Sequence, residues 1–196
     1  MHIQSESVAD FNRWSRTYET SWMQRSLFDR VHEGVLDLVV RDSAPGVILD
    51  AGCGTGRLLR KARIRYPGAR LIGVDPAEGM IEKARQMLPD AAFSVGSAEA
   101  LPLPDASVDL AVSTISYHHW KDQEQGVREI RRVLRPGGQF LLADMVLPAF
   151  LVKVLRHGHI RTAGEVKAIF GRAGLEVLSQ HRLLLGLILV TVGIRR

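Results

Sequence analysis

Three glycines at alternate positions follow an acidic residue at the end of the short apolar run Val47–Leu49. Gly52, Gly54 and Gly56 lack a Cβ atom, so a turn made of them can bend tightly and bring main-chain N–H groups close to a ligand. A turn built only for phosphate would gain nothing from the negative charge of Asp50. The segment therefore predicts a strand, a turn and a helix that bind a ligand with a cationic part.

A second acidic residue, Asp75, ends the next apolar run, nineteen residues after Gly56. At that distance the carboxylate is expected at the end of the neighbouring strand, where it can accept hydrogen bonds from both hydroxyls of a ribose. Asp75 followed by Pro76 also fits a helix N-cap with proline at the first helical position. The residues alone leave ribose binding and capping open.

Strands and helices alternate from Val47 onward, which predicts a parallel sheet with helices on both faces. Two last apolar runs, Leu175–Arg182 and Leu187–Ile194, have only Leu183–Gly186 between them. So short a link predicts an antiparallel hairpin at one edge. The predicted strands before it are Val47–Asp50, Arg70–Asp75, Ala92–Val95, Val108–Ser113 and Gln139–Asp144. The predicted helices after the first strand are Thr55–Tyr66, one carrying Met80 to Leu88, Gln123–Leu134 and one capped at Thr162–Glu165.

About forty residues of mostly helical pattern precede the first strand. One helix is predicted to open at Ser7–Asp10, with Phe11 and Trp14 near one face, and another at Ser26–Asp29. This layer either packs on the sheet or covers a site as a lid. We expect one domain over residues 1–196, with the helical layer at 1–43, the core at 47–144, a short substrate segment at 145–161 and the last helix and hairpin at 162–196.

Composition narrows the class of protein. The 196 residues, 46% of them hydrophobic, are enough for one core. Cys53 is the single cysteine, which excludes an intrachain disulfide and a cysteine-cluster metal site, and a cytoplasmic location is expected. No apolar run reaches the roughly 18 residues of a membrane span, and no secretory leader is visible.

The net charge of +5 invites a nucleic-acid interpretation. The basic residues lie between apolar positions of two predicted helices, which favours the interpretation that they form solvent-exposed helix faces. They are Arg60, Lys61, Arg63, Arg65, Arg128, Arg131, Arg132 and Arg135.

Four segments, in this order and spacing, resemble the motifs of class I S-adenosylmethionine-dependent methyltransferases. They are Val47–Gly56, Gly73–Asp75, Gly96–Pro102 and Arg132–Gly138. The similarity is closest to the small-molecule branch that includes ubiquinone and menaquinone-biosynthesis methyltransferases. The resemblance implies an α/β, Rossmann-like, doubly wound sheet of seven mostly parallel strands with an antiparallel C-terminal hairpin. It also implies S-adenosylmethionine as cofactor.

The resemblance also implies roles for particular residues. The glycine turn would wrap the methionine portion and the adenosine, with Asp50 near the amino end and Asp75 on the ribose. Many relatives carry Asp where this chain has Ser97, whose hydroxyl can accept the adenine amino group without charge assistance. Met80, Glu99 and Tyr18 fit either cofactor contact or packing. The predicted cofactor-binding set is Tyr18, Asp50, Gly52, Cys53, Gly54, Gly56, Asp75, Pro76, Met80, Ser97, Ala98, Glu99 and Ser113.

His118 and His119 follow the fourth predicted strand, towards the expected acceptor. Imidazole titrates near neutral pH, so either can serve as general base if the acceptor must lose a proton; packing is the alternative. The pair has no acidic neighbour, so no metal site is expected. The segment Met145–Arg161 is short and apolar, and predicts a small apolar or amphipathic acceptor. Its polar groups are Lys153, Arg156, His157 and His159.

Three alternatives are weaker. A nicotinamide oxidoreductase would need a third glycine where Arg57 stands. A nucleic-acid methyltransferase would need a cysteine nucleophile, whereas Cys53 belongs to the turn, or an Asn/Asp-Pro-Pro-aromatic signature where Ser113–Ser116 stands. A binding module without catalysis stays open, as does the choice between monomer and homodimer.

Overall fold

The computed structural model describes residues 8, 11–12, 22–39, 44–146 and 160–196. Its strands are β1 (Val47–Ala51), β2 (Arg70–Asp75), β3 (Ala92–Val95), β4 (Val108–Thr114), β5 (Leu134–Met145), β6 (Glu176–Leu183) and β7 (Ile188–Ile194). They form one seven-stranded sheet in the order β3-β2-β1-β4-β5-β7-β6. The strand order reverses between β1 and β4, which is where ligands bind in open α/β sheets.

The first five strands pair in parallel, and β7 pairs antiparallel with both β5 and β6. The predicted fold class is therefore confirmed, including the C-terminal hairpin. The helices are α1 (Trp22–Asp37), α2 (Arg57–Arg65), α3 (Glu78–Met87), α4 (Gln123–Val133) and α5 (Ala163–Arg172). They cover both faces: α1, α2 and α3 share one apolar core, and α4 and α5 share the other.

Helix α1 is part of the first core, because Val31, Val35 and Leu36 are buried there. Among the described side chains, three ion pairs join it to α2: Lys61 pairs with Glu33 at 2.7 Å and with Asp29 at 3.5 Å, and Arg65 pairs with Asp37 at 2.6 Å. This helix is therefore a packing layer in the structure. Of the predicted helix before it, Val8, Phe11 and Asn12 are helical, while Trp14 lies outside the described residues.

Local signals fix the ends of several elements. Helix α5 opens with the predicted capping box, in which Glu165 N donates to Thr162 Oγ1 at 3.3 Å and Thr162 N donates to Glu165 Oε2 at 2.7 Å. Helix α2 begins at Arg57 rather than at the predicted Thr55, because Gly56 has φ +74° and lies outside the helical region.

Strand β5 begins at Leu134, five residues before the predicted Gln139. Four residues, Arg135–Gly138, bulge opposite the single residue Asp109 of β4. The predicted turn is therefore an irregularity inside the strand.

None of the helices in the described ranges is long and apolar enough to cross a bilayer.

Candidate active site

The glycine turn after β1 is held in a conformation that side chains disfavour. Gly52, Gly54 and Gly56 have φ of +80°, +51° and +74°, in the left-handed region. A Cβ on Gly52 would lie 2.3 Å from Ser116 Oγ, whereas a Cβ on Gly54 would meet no atom within 4 Å. Gly52 thus permits close packing on the protein side, and Gly54 faces open space in which a ligand fits.

Asp50 lies at the base of this turn and is 1% exposed. Its Oδ1 atom has no hydrogen-bond partner in the described part of the chain. Burial, with the charge of Asp75 as a second cause, raises the pKa of Asp50 to about 8. A buried carboxyl oxygen without a donor is costly, so the position calls for a ligand that brings a cation or a donor.

Asp75 ties the turn to the start of α3. Its Oδ2 accepts a hydrogen bond from Gly54 N and its Oδ1 accepts one from Ala77 N, each at 2.9 Å. Burial raises the pKa of Asp75, and the two N–H bonds oppose that rise. Helix α3 begins at Glu78, so the interpretation of Pro76 as first helical residue is wrong. Each carboxylate oxygen can accept a further bond, and ribose binding stays a prediction.

Cys53 and Met80, which were both predicted to contact the cofactor, are buried. Cys53 N donates to Val74 O at 3.1 Å, and Cys53 Sγ lies 3.6 Å from Gly54 O. Burial and the neighbouring carboxylates raise the pKa of the Cys53 thiol, which disfavours a nucleophilic thiolate. Met80 is 2% exposed, as expected for a core methionine.

The loop after β3 carries Ser97, Ala98 and Glu99, predicted to lie near the adenine. Ala98 is buried and Ser97 is partly buried. Glu99 Oε1 accepts hydrogen bonds from Lys121 N at 2.7 Å and from Asp122 N at 3.3 Å. Glu99 therefore has a structural part, since it holds the segment that leads into α4. The adenine contacts stay predictions.

The end of β4 is linked to the glycine turn by two serines. Ser113 is fully buried, and its Oγ lies 2.8 Å from Ser116 Oγ, which donates to Ala51 O at 3.2 Å. Between them, Ile115 has φ +51°, a strained conformation for a β-branched residue. The strained turn aims Ser116 at the end of β1. Ser113 belongs to the predicted cofactor-binding set, and its contact with a cofactor stays a prediction. Ile115 and Ser116 are not in that set, since their role depends on this turn.

His118 is paired with an acidic residue that is distant along the chain. Asp144 Oδ1 lies 2.8 Å from His118 Nδ1, and Asp144 Oδ2 accepts a hydrogen bond from His118 N at 3.0 Å. The expectation that the histidine pair lacks an acidic partner is wrong. Asp144 was missed, although it ends a predicted strand as Asp50 and Asp75 do.

His119 and Tyr117 complete the 3₁₀ turn Tyr117–His119 that follows β4. The ring of His119 meets the ring of Phe11 edge-on at 5.2 Å and lies 4.0 Å from the ring of His118. Tyr117 is buried against Trp120, with ring centroids 5.2 Å apart. Tyr18 and the polar side chains predicted at Lys153, Arg156, His157 and His159 lie outside the described residues. No cluster of three or more His, Cys, Asp or Glu side chains that could hold a metal occurs in the described ranges.

The sheet order and the glycine turn define the class I, Rossmann-like methyltransferase fold. A sequence model of the methyltransferase domain family matches residues 49–142. The malonyl-[acyl-carrier protein] O-methyltransferase of Dechloromonas aromatica (strain RCB) is 33% identical over 178 residues, covering 86% of this chain and 64% of that protein. The protein of the same name from Serratia marcescens is 34% identical over 146 residues, covering 73% of this chain and 54% of that protein.

Solved structures show the same fold. A chain from the complex between the Haloferax volcanii Trm112 methyltransferase activator and a methyltransferase has a TM-score of 0.80 at 24% identity, covering 94% of this chain and 96% of that chain. Residues 49–142 of this chain thus match the methyltransferase domain family, as the four sequence motifs predict. The chain spans between about half and just under two thirds of the length of these curated relatives.

Proposed function

We propose that this chain transfers the methyl group of S-adenosylmethionine to a small acceptor. The observation that carries the proposal is Asp50 Oδ1, a buried carboxyl oxygen without a hydrogen-bond partner in the described part of the chain. The cofactor brings two cationic groups, a sulfonium and an ammonium. A buried carboxyl gains most from an opposite charge that it meets out of water.

The residues around the turn fit the rest of the cofactor. The open space at Gly54 leaves room for it beside main-chain atoms, and Asp75 retains lone pairs for ribose hydroxyls. The main chain at Ala98 and the hydroxyl of Ser97 would meet the adenine edge. The absence of charge at Ser97 predicts a weaker adenine contact than a carboxylate would make.

Asp50, the glycine turn and Asp75 would hold S-adenosylmethionine, which would supply a methyl group that its sulfonium already activates. The acceptor's lone pair would form the new bond to the methyl carbon, and the S–CH₃ electron pair would go to sulfur. The protein must hold the acceptor in line and exclude water. Such orientation can contribute up to about 7–11 kcal/mol.

His118 is the base that the geometry favours for an acceptor that must lose a proton. The Asp144 carboxylate faces His118 Nδ1, which places the ring proton there and leaves Nε2 with a lone pair on the opposite side of the ring. His118 Nε2 then takes the acceptor's proton, and Asp144 stabilises the imidazolium that results. Asp144 is a positioning residue in this scheme.

The ion pairs on the basic face of α4 support a small acceptor rather than a nucleic acid. On α4, Arg128 is paired with Glu124 and Arg132 with Glu129 and Asp105. These ion pairs leave less free charge for a nucleic-acid phosphate backbone. The relatives named malonyl-[acyl-carrier protein] O-methyltransferases support an oxygen nucleophile on a small acyl group.

The test is acceptor-dependent formation of S-adenosylhomocysteine from labelled S-adenosylmethionine, with intact-mass detection of the methylated product across an acceptor library. For an acceptor with a proton to lose, Asp144→Asn is expected to lower kcat by about tenfold or more while the Kd for S-adenosylmethionine stays unchanged. Asp90→Asn is the matched control, since the Asp90 carboxylate pairs with Arg63 at the surface. Binding of S-adenosylmethionine without transfer to any acceptor would instead favour the non-catalytic module.

A further inference from the structure

The tip of the β6–β7 hairpin, Leu184–Leu187, presents apolar side chains to solvent. Leu185 is fully exposed and Leu187 is 67% exposed. Met145, which lies opposite Ile188 in the register of β5 and β7, is also exposed beside the tip. Large apolar side chains that lie together in water are unfavourable, and such a group marks a contact surface.

The backbone of the tip is strained. Leu184 and Leu185 have φ of +50° and +56°, in the left-handed region that leucine rarely adopts. Hairpin turns with positive φ usually carry Asn, Asp or Gly, which would also keep the tip polar. Both the conformation and the exposure of Leu185 therefore lower stability in water, and strain that is retained in this way indicates a functional contact.

The main chain of the tip is prepared for an apolar medium. Leu184 O accepts a hydrogen bond from Leu187 N at 3.2 Å, and Gly186 O accepts one from Arg182 Nη1 at 3.2 Å. Leu187 O accepts one from Val146 N at 3.4 Å. Carbonyl groups that already accept hydrogen bonds lose less when they leave water. The tip can therefore enter apolar surroundings with its folded conformation intact.

The charges at the tip are positive. In the sequence, the two stretches that adjoin it, Met145–Gly164 and Val177–Arg196, contain no Asp or Glu. Arg182 is exposed, and the Gly186 oxygen that its Nη1 contacts belongs to a neutral carbonyl. A negatively charged partner therefore complements the tip.

Helix α1 adds no free negative charge to this surface. The helix lies against the base of the tip, since a Cβ on Gly34 would be 2.8 Å from Leu183 Cδ1. Its three acidic residues pair with basic residues of α2, and they are Asp29, Glu33 and Asp37. An anionic surface thus meets little repulsion from the neighbouring helix.

The small size of the tip favours a membrane over a protein as its partner. A stable protein interface takes about 20–30 residues from each side, far more than Leu185, Leu187 and Met145 supply. A bilayer surface needs no complementary shape. Apolar side chains enter the boundary between headgroups and acyl chains, and nearby basic side chains are attracted to anionic lipids.

We infer that the hairpin tip binds the surface of an anionic lipid bilayer, with Leu185 and Leu187 at the acyl boundary and Arg182 among the lipid phosphates. The inference goes beyond the proposed function and does not depend on it. Asp144 of the proposed site lies opposite Leu189, two residues after Leu187, so a bound tip would bring that site to the bilayer surface.

Flotation of the full chain with lipid vesicles, in the absence of S-adenosylmethionine, tests the inference. Vesicles of equal parts phosphatidylcholine and phosphatidylglycerol should carry the chain, and vesicles of phosphatidylcholine alone should carry much less of it. Leu185→Asn should weaken partition into the mixed vesicles roughly tenfold, as expected for the loss of one leucine side chain. Arg182→Gln should weaken it about fivefold, and only where phosphatidylglycerol is present.

Ile64→Asn is the matched control, because Ile64 is 84% exposed in the last turn of α2, which runs away from the glycine turn. Its partition should equal that of the wild type. Leu185→Asn should raise the Tm, since asparagine tolerates positive φ better than leucine does. A lower Tm in Leu185→Asn, or the same loss of partition in Ile64→Asn, would overturn the inference.

A label at the tip reports whether the tip itself enters the lipid. Leu185→Cys is labelled with bimane, whose emission shifts to shorter wavelength in apolar surroundings; Cys53 is buried and is protected from the reagent. The emission should shift with mixed vesicles, and the same label on Ile64→Cys should show no shift. Flotation without a shift at position 185 would indicate attraction by charge alone and would overturn the inference.

Sedimentation of the wild type without lipid tests whether a second copy of the chain covers the tip instead. A dimer that Leu185→Asn abolishes would overturn the inference, as would absence of flotation with the mixed vesicles. Titration of S-adenosylmethionine into the same samples separates the two proposals. If it does not bind while vesicle binding depends on Leu185, the proposed function fails and the membrane surface stands; the reverse result rejects the membrane surface alone.

Discussion

At the residue scale, the proposed contact of the Asp50 carboxyl with the cofactor predicts a link between cofactor binding and pH. Its pKa is about 8 in the free protein, so it is mostly protonated at pH 7. A cation that binds beside it lowers that pKa, and the proton leaves. Binding of S-adenosylmethionine at pH 7 should therefore release close to one proton from Asp50, and the affinity should rise with pH up to about 8.

Titration calorimetry in two buffers of different ionisation enthalpy measures that proton. Asp50→Asn is the matched variant, because it keeps the shape of a neutral carboxyl and cannot ionise. It should bind S-adenosylmethionine more weakly and should lose the part of the proton release that comes from Asp50. An identical proton release in the variant would contradict the role of Asp50.

The same pKa predicts how stability depends on pH. Between the ordinary value of 3.8 and about 8, the folded chain keeps a proton that the unfolded chain has lost. The contribution of Asp50 to the free energy of unfolding therefore falls as pH rises through that window, and this dependence should disappear in Asp50→Asn.

The sequence was sufficient to predict which residues lie at the ends of strands. Asp50, Asp75 and the glycines follow apolar runs directly, so their common edge of the sheet is predictable from parallel pairing. Asp144 was missed as the partner of His118 because the two meet only through packing, 26 residues apart. The bond from Ser116 to Ala51, 65 residues apart, was missed for the same reason.

At the element scale, the close packing of α4 on Trp120 depends on a glycine. A Cβ on Gly126 would lie 2.4 Å from Cε3 of Trp120, which is buried beneath the helix. Gly171 in α5 has no atom within 4 Å of that position. The two glycines thus form a matched pair of helical sites: a methyl group would clash with a neighbour at Gly126 and would meet none at Gly171.

Gly126→Ala should lower the free energy of unfolding by about 1–3 kcal/mol, since overpacking exceeds the gain in helix propensity. Gly171→Ala should raise it by about 0.5–1 kcal/mol, because only the propensity changes. Urea unfolding at fixed pH measures both. Shifts of the same sign in the two variants would contradict the packing described for α4.

Periodicity and turn residues predicted most element bounds, and the bounds of β2 and β3 match the prediction. The start of β5 did not follow from local sequence, because its bulge is fixed from outside. Asp109 of β4 accepts hydrogen bonds from Val47 N at 2.7 Å and from Arg135 Nη1 at 2.6 Å. The carboxylate thereby joins β1, β4 and the bulge, a contact that no single segment reveals.

At the scale of the whole molecule, the sheet order brings the proposed functional side chains together at one edge of the sheet. Strands β1 and β2 bring Asp50 and Asp75 there, and β5 brings Asp144 from a distant part of the chain. The four motifs were sufficient to predict the methyltransferase fold. They did not predict that Tyr117 and Arg161 line one cavity, because the two residues come from different segments and meet only in the folded chain.

The central claim, that the glycine turn and Asp75 hold S-adenosylmethionine, is tested most directly by titrating S-adenosylhomocysteine into the purified chain. We expect one bound molecule per chain and an affinity at least about tenfold lower in Asp75→Ala, which removes the proposed ribose acceptor. Asp90→Ala, which loses only a surface ion pair with Arg63, should bind like the wild type. Absence of binding by the wild type, or equal affinity in a folded Asp75→Ala variant, would contradict the claim.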